Sequence, residues 1–401
     1  MHSKTLLNHI TRTLLGLVFT FSGFVKVIDP LGTTYKIEDY LAAMGLNSLL
    51  PIAFAAAMCL VTAEFVLGLC LLSNIKTHVT PWLVLLFMIV MTPLTLWIAI
   101  TNPVTDCGCF GDALILSNWA TFWKNIALLI LTAILLWCRK DVRPWMQNRY
   151  QLMLAAGYVI ISLCISVYCL THLPLIDFRP YKVGTDIEQS MFIPENAPQD
   201  RYETVFIYER NGEQREFTLD NYPKDDPSWV FVDSHSTLIE KGYEPPIHDF
   251  NIILMDVHHA DISEETDFSK DTDYSDYAED FEDVEDADLF ADTPDYDITE
   301  QIIHNPGTTL LAILYDLDKT DMTQAAKLEG IYQQAIKDGN DFYALTGSGW
   351  ELVRQFADQT GATYPFCSTD PVTLKTIIRA NPGLVIVKDG IIVSKHNLRQ
   401  L

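Results

Sequence analysis

Basic residues are scarce in this chain: 27 Lys and Arg stand against 52 Asp and Glu, for a formal charge of -25. Nucleic acid, which calls for clustered Lys and Arg, is therefore excluded as a partner. The deficit is uneven. Residues 1–150 hold ten basic and seven acidic residues, a net of +3, so residues 151–401 hold 17 and 45, a net of -28. Charge is also missing from long stretches of residues 1–174, where apolar runs dominate, and this rules out a simple soluble protein. The chain reads as a membrane domain followed by an acidic, water-soluble tail.

A membrane span needs about 20 mostly apolar residues. Five runs qualify: Thr5–Ile28, Leu50–Leu72, Thr80–Ile100, Ala120–Trp137 and Leu152–Leu173. The first has a basic start but lacks a small-residue cleavage pattern, and four more runs follow, so it reads as a span rather than a signal peptide. The loops after the second and fourth runs carry Lys76, His78, Arg139, Lys140, Arg143 and Arg149 against Asp141. Those after the first and third carry Asp29, Glu38, Asp39, Asp106 and Asp112 against Lys36. Basic loops stay inside. The expectation is a protein of a bacterial inner membrane, in contact with the lipid bilayer, with a cytoplasmic N-terminus and a periplasmic tail.

Ionisable residues within spans are expensive and usually paired or functional. Arg12 and Glu64 fall at similar depth, which predicts an Arg12–Glu64 ion pair, read as structural glue between two helices. Lys26 and Lys124 lie near the outer helix ends. They either snorkel to the headgroups or form a cationic rim around an outward site, where they would stabilise a thiolate.

There are eight cysteines, five of them in or at the ends of predicted helices, where Cys commonly acts as a small apolar filler. Cys107 and Cys109 differ, because they flank Gly108 in an outward loop. A Cys-Gly-Cys bridge closes a very small ring, and glycine can supply the unusual backbone conformation it requires. Three readings stand: a redox-active pair, a structural bridge, or metal ligands. No His lies in the loop to complete a metal site, so no metal is expected.

The residues Arg12, Leu15–Gly16, Phe19, Ser22–Gly23, Lys26 and Asp29–Pro30 are similar to the opening of the DoxX/MauE group of membrane proteins. The Cys107-Gly108-Cys109-Phe110-Gly111 loop, followed by Lys124–Asn125, resembles MauE in particular, over about residues 10–138. The resemblance implies a four-helix membrane bundle and thiol–disulfide or quinone-linked redox activity, with quinone as the implied cofactor. It also implies a link to maturation of a disulfide-rich enzyme. This chain adds a fifth span and a long tail.

In the tail, Tyr202–Tyr208, a turn at Asn211–Gly212 and Arg215–Thr218 read as a hairpin, followed by a strand over Trp229–Val232. Asp256–Asp297 holds 18 acidic residues and one Lys, Lys270, and reads as a solvated insert. Beyond it, the order of strands and helices predicts a mixed sheet with helices on both faces. Asn381–Pro382 and the run from Tyr364 to Gly390 resemble the second half of a TlpA-type thioredoxin-like domain. The family's Cys-x-x-Cys would stand where this chain has Asp316-Leu317-Asp318-Lys319. Cys367 is a lone thiol, either an exchange partner for the Cys107/Cys109 pair or a buried residue.

The expected fold class is thus a multi-pass α-helical membrane bundle followed by a periplasmic β-rich segment and an α/β thioredoxin-like domain. The expected boundaries are a DoxX/MauE-like domain at 1–150 and a fifth helix at 151–174. A β-rich segment at 175–255, an acidic insert at 256–300 and the thioredoxin-like domain at 301–401 follow. Two functions compete. One is a component of envelope redox traffic with Cys107 and Cys109 as its catalytic pair. The other is a non-catalytic membrane-anchored scaffold or maturation factor whose tail binds a periplasmic protein.

Overall fold

The computed structural model describes residues 2–104, 107–138, 146–210, 212–224, 226–240, 242–255 and 296–401. The expected turn residue Asn211, the basic loop residues Arg139, Lys140 and Arg143, and nearly all of the acidic insert lie outside the described residues.

Among the described residues, five helices are long and apolar enough to cross a membrane: Lys4–Ile28, Asn47–Leu72, Thr80–Thr101, Asn118–Cys138 and Asn148–Thr171. They correspond to the five expected runs. The first lies within α1 (His2–Ile28). A short helix, α2 (Pro30–Ala43), follows at once; Asp29 caps it by accepting from the Gly32 amide at 3.0 Å, with Pro30 in the first turn. That start signal is plain in Asp29–Pro30, yet α2 is too short and too polar to register as a span. Next come α3 (Ala53–Leu72), preceded by one 3-10 turn, then α4 (Thr80–Thr101), α5 (Asn118–Cys138) and α6 (Asn148–Thr171). The bundle core joins Leu15 and Phe19 to Leu67, Leu71, Val84, Met88, Leu128 and Leu135. Trp82, Leu86, Ile89, Trp123 and Trp137 are exposed on its outside, as lipid-facing side chains should be.

In lipid, helices associate through small residues that let backbones approach. A Cβ added at Gly23 would lie 2.5 Å from the Phe65 backbone, and one at Gly68 would lie 2.4 Å from the Thr20 amide nitrogen. These contacts fix the register of α1 against α3.

The tail opens with α7 (Ile187–Met191) and a three-stranded antiparallel sheet in the order β2-β1-β3, made of β1 (Arg201–Arg210), β2 (Glu213–Thr218) and β3 (Val230–Glu240). This contains the expected hairpin and third strand. A second sheet then forms from β4 (Ile253–Leu254), β5 (Tyr296–Asp297), β6 (Thr308–Leu314), β7 (Asp341–Thr346), β8 (Phe366–Ser368), β9 (Gly383–Lys388) and β10 (Ile391–Asn397), in the order β10-β9-β6-β7-β8-β4-β5. The segment β6–β10 also contains α9 (Met322–Lys337), α10 (Trp350–Thr360) and α11 (Pro371–Ile377); α8 (Thr299–Ile303) precedes it.

Strands β6 and β7 run parallel, β9 runs antiparallel to β6, and β10 runs antiparallel to β9. The four-strand order β10-β9-β6-β7, with helices on both faces and a cis Asn381–Pro382 peptide leading into β9, is the thioredoxin-like layout. Strand β6, Thr308–Leu314, is buried from Thr309 onward, as an apolar run flanked by helices on both faces must be. The core reaches further back along the chain than residue 301. Tyr181, Ile187, Ile247, Phe250 and Ile252 pack with Ile302, Leu311, Leu374 and Val385. Strands β4 and β5 pair with each other across the acidic segment.

Candidate functional site: a buried dithiol between bundle and tail

The loop between α4 and α5 folds back onto the bundle. Gly108 takes φ +61° and Gly111 φ +53°, a left-handed conformation that residues with a Cβ rarely adopt. The Gly111 amide donates to the Gly108 carbonyl at 3.0 Å. This tight turn places Cys107 and Cys109 on the same side, with their sulfurs 3.2 Å apart and both side chains buried. Each cysteine backbone is held by a different helix. Tyr40 on α2 donates to the Cys107 carbonyl at 2.5 Å, and Ser22 on α1 lies 2.6 Å from the Cys109 carbonyl.

Beneath the loop lies a polar cluster in the apolar bundle. Lys26 Nζ is 2.7 Å from Glu64 Oε2 and donates to Ser22 Oγ at 3.0 Å, while Ser22 Oγ is 2.6 Å from Glu64 Oε1. Lys26, Glu64 and Ser22 are 5%, 6% and 3% exposed. The partner of Glu64 is therefore Lys26, and the expected Arg12–Glu64 pair does not form. The glycine contacts explain why. With Gly23 seated on Phe65 and Gly68 on Thr20, Glu64 lies level with the outer turns of α1. Arg12 lies beyond the inner end of α3, where its Nη2 sits 3.1 Å from His9 Nδ1. Lys26 does not snorkel outward as one reading had it. Lys124 sits 4.4 Å from the centroid of the Phe110 ring, beside the thiols.

The two thiols are electrically unequal. The Cys107 S–H, donating to Cys109, pulls the Cys109 thiol down to about 6 against the effect of its burial, and the Lys124 and Lys26 charges add to the lowering. Cys107 is shifted far upward by that same hydrogen bond and by burial. Cys367 is fully buried in β8, and burial pushes its thiol up to about 12; it is a core residue. Among the described residues no group of three His, Cys, Asp or Glu could hold a metal ion.

The tail covers this end of the bundle. Arg379, three residues before the cis proline, sends Nε to Asp29 Oδ1 and Oδ2 at 3.1 and 3.0 Å and Nη2 to Asp112 Oδ2 at 3.4 Å. Burial opposes its charge, but Asp29 and Asp112 hold its pKa above the ordinary value. Tyr35 on α2 donates to Tyr315, which follows β6, at 3.1 Å. Lys375 and Arg379 lie over the Tyr35 ring at 4.8 and 5.4 Å. Between the two parts is a cavity of about 400 Å³. Cys107, Gly108 and Cys109 form part of its wall, with Lys26, Tyr35 and Tyr40 from the bundle and Arg179 and Arg379 from the tail.

Residues 4–138 match the family model described as methylamine utilisation protein MauE. The matched residues span α1 to α5, including the dithiol loop, Lys26, Glu64 and Lys124. Residues 202–241 match a model described as domain of unknown function (DUF8463), over β1 to β3. No curated protein matches the chain. Among solved structures, a candidate protein disulfide isomerase from Bacteroides thetaiotaomicron, solved in solution, matches at 15% identity. The match covers 26% of this chain and 69% of that one, with a TM-score of 0.22.

Sequence reasoning missed Ser22, Tyr40, Tyr35, Asp29 and Arg379. Ser22 carried a usable signal: it lies one helical turn before Lys26, on the same face of an apolar helix. Arg379 carried none, since its partners are 350 and 267 residues away.

Proposed function

We propose that this membrane protein is a component of thiol–disulfide traffic at the outer face of a bacterial inner membrane, with Cys107 and Cys109 as the exchanging pair. The observation that carries this is the pair itself: two thiols 3.2 Å apart, in the wall of a cavity between bundle and tail that Lys26 also lines. Cys109 is the sulfur that carries the client in the mixed disulfide, because the thiol of lower pKa is the better leaving group when the client closes its own disulfide. Lys124 and Lys26 favour the Cys109 charge. The thioredoxin-like part supplies no thiol beside the pair, since Asp316 to Lys319 occupy the position of the family's Cys-x-x-Cys. Its role is to cover the pair and present a protein client from the periplasmic side.

A membrane quinone fits the same cavity as a reoxidant. Val25, Ile28, Leu60, Met91 and Leu94 would hold its ring, with Tyr35 and Lys36 at the polar end. Bound there it would accept the two electrons of the pair. A second reading, a maturation factor that binds its client without chemistry, is favoured by the absence of thiols at Asp316–Lys319.

Differential thiol trapping in intact cells separates the two readings. The redox reading predicts a mixture of reduced and oxidised Cys107–Cys109 that shifts with added dithiol or oxidant, and loss of function in Cys107→Ser and Cys109→Ser alike. A pair fixed in one state under all conditions, with both variants functional, leaves the scaffold.

A further inference from the structure

Ser22 in the cluster under the dithiol has fewer protons than it has acceptor contacts unless Glu64 is protonated. Ser22 has one hydroxyl proton. Its oxygen lies 2.6 Å from the Cys109 carbonyl and 2.6 Å from Glu64 Oε1. A carbonyl only accepts, and an ionised carboxylate only accepts. Lys26 donates to Ser22 Oγ and to Glu64 Oε2, and none of its protons lies between Ser22 Oγ and Oε1. One proton on Glu64 Oε1 completes the set: Glu64 donates to Ser22, Ser22 donates to the Cys109 carbonyl, and Oε2 still accepts from Lys26.

We propose that Glu64 is the proton store of the Cys107–Cys109 couple, protonated when the pair is a dithiol and ionised when the pair is a disulfide. The proposal rests on the redox reading above. Its physical basis is the buried Lys26 cation, which requires one balancing negative charge in this apolar site. In the reduced state the Cys109 thiolate supplies that charge. In the oxidised state the thiolate is gone and the Glu64 carboxylate replaces it. Among the other titratable and charged groups at this site, Lys36 on α2 lies against Gly108, and Asp39 lines the same cavity. Lys124 on α5 and Cys107 act on the Cys109 thiol, and Tyr40 on α2 acts on Cys107. Asp29, at the start of α2, is held by Arg379. Helix α4 has no ionisable residue, and α6 meets α3 through Ser162.

The step balances. A client thiolate attacks the Cys109 sulfur of the Cys107–Cys109 disulfide, forming a mixed disulfide and expelling Cys107, which takes up a proton. The second client thiolate attacks the client sulfur of the mixed disulfide, closes the client disulfide and expels the Cys109 thiolate. The client loses two electrons and the pair gains them. Of the two protons the client thiols give up, one goes to Cys107 and one to Glu64. Glu64 is thus a positioning and proton-holding residue that acts through Ser22 and Lys26.

The test is a redox titration of the full-length protein in lipid nanodiscs, in dithiothreitol buffers from about pH 7 to 8.5, read by alkylation mass shift. Wild type should take up two protons for each two electrons. Glu64→Gln, which keeps the shape but holds no exchangeable proton, should take up one. Infrared difference spectra of unmodified protein provide a readout independent of any variant: reduction should produce a protonated-carboxyl band. Equal proton uptake in wild type and Glu64→Gln, or no such band on reduction, overturns the assignment of Glu64 while leaving the redox pair in place. A wild-type pair that dithiothreitol cannot reduce overturns both.

Discussion

Arg379→Ala tests whether the tail restrains the dithiol. The guanidinium bridges the two parts of the protein through Asp29 and Asp112, and its side chain is 8% exposed. Removing one partner of a buried pair typically costs about 3–5 kcal/mol, because the remaining charge is left unpaired. Two features reduce that here. Asp112 has a side chain 40% exposed, so water replaces its partner and its share is below about 1 kcal/mol. Asp29 keeps the Gly32 amide as a donor. A loss of about 2–4 kcal/mol from the closed arrangement remains, with tenfold for each ~1.4 kcal/mol. The opening equilibrium should therefore rise on the order of 30- to 1,000-fold. The assay is the rate of alkylation of Cys107 and Cys109 by a bulky, membrane-impermeant maleimide on reduced protein in nanodiscs. If opening precedes modification, the rate rises by the same factor. Asp29→Asn should produce most of the effect, and the double variant little more, since the two residues form one interaction. A folded Arg379→Ala protein whose thiols react at the wild-type rate would refute the claim that this contact holds the tail over the pair.

Two further outcomes follow from the geometry. The alkylation rate of Cys109 should climb between about pH 5 and 7 and then level off, following a thiol held near 6, whereas an ordinary thiol keeps climbing toward about 8.5; a Cys109 profile still rising tenfold per unit above about pH 8 would remove its assignment as the resting thiolate. Gly68→Val would drive a side chain into the Thr20 backbone, and overpacking of this kind costs about 1–3 kcal/mol or more, so thermal unfolding in detergent should shift down clearly, and an unchanged midpoint would show that α1 and α3 do not meet as described.

The five spans were legible because the signal is additive: twenty apolar residues in a row cannot be much else. The α/β layout of residues 308–397 was legible for a related reason, since the run at Thr309–Leu314 and the amphipathic 322–337 helix change period at visible breakpoints. The short edge strands Ile253–Leu254 and Tyr296–Asp297 were not legible. Two residues carry no period, and their pairing is decided by Ile252 and Ile298 entering a core assembled from distant parts of the chain. The Lys26–Glu64 contact shows the limit most clearly. Depth counted along each helix chose Arg12 and set Lys26 apart near the outer end, because a rise per residue fixes position along one axis and says nothing of how two helices slide past one another. The slide is set by Gly23 and Gly68, whose missing side chains are visible in the sequence but whose partners, Phe65 and Thr20, are not.

The cysteine pair proposed to exchange electrons lies in the membrane loop rather than in the tail. In a thioredoxin-like domain, the end of β6 and the loop before the cis proline lie together. Here those two places carry Tyr315 and Arg379, and both contact α2 or its cap rather than solvent. On the reading proposed above, the face that would have held a Cys-x-x-Cys has become a docking surface, and the thiols belong to the membrane loop it docks upon. A buried arginine at that position is costly without its acids and has no use in a domain that works alone. Asp29 and Asp112, which pair with it, lie in the bundle on either side of the dithiol in sequence: one caps α2, and the other follows Cys109 by three residues. On that reading, Arg379 ties the tail both to the cap of the helix that carries Tyr40 and to the residue three positions after Cys109.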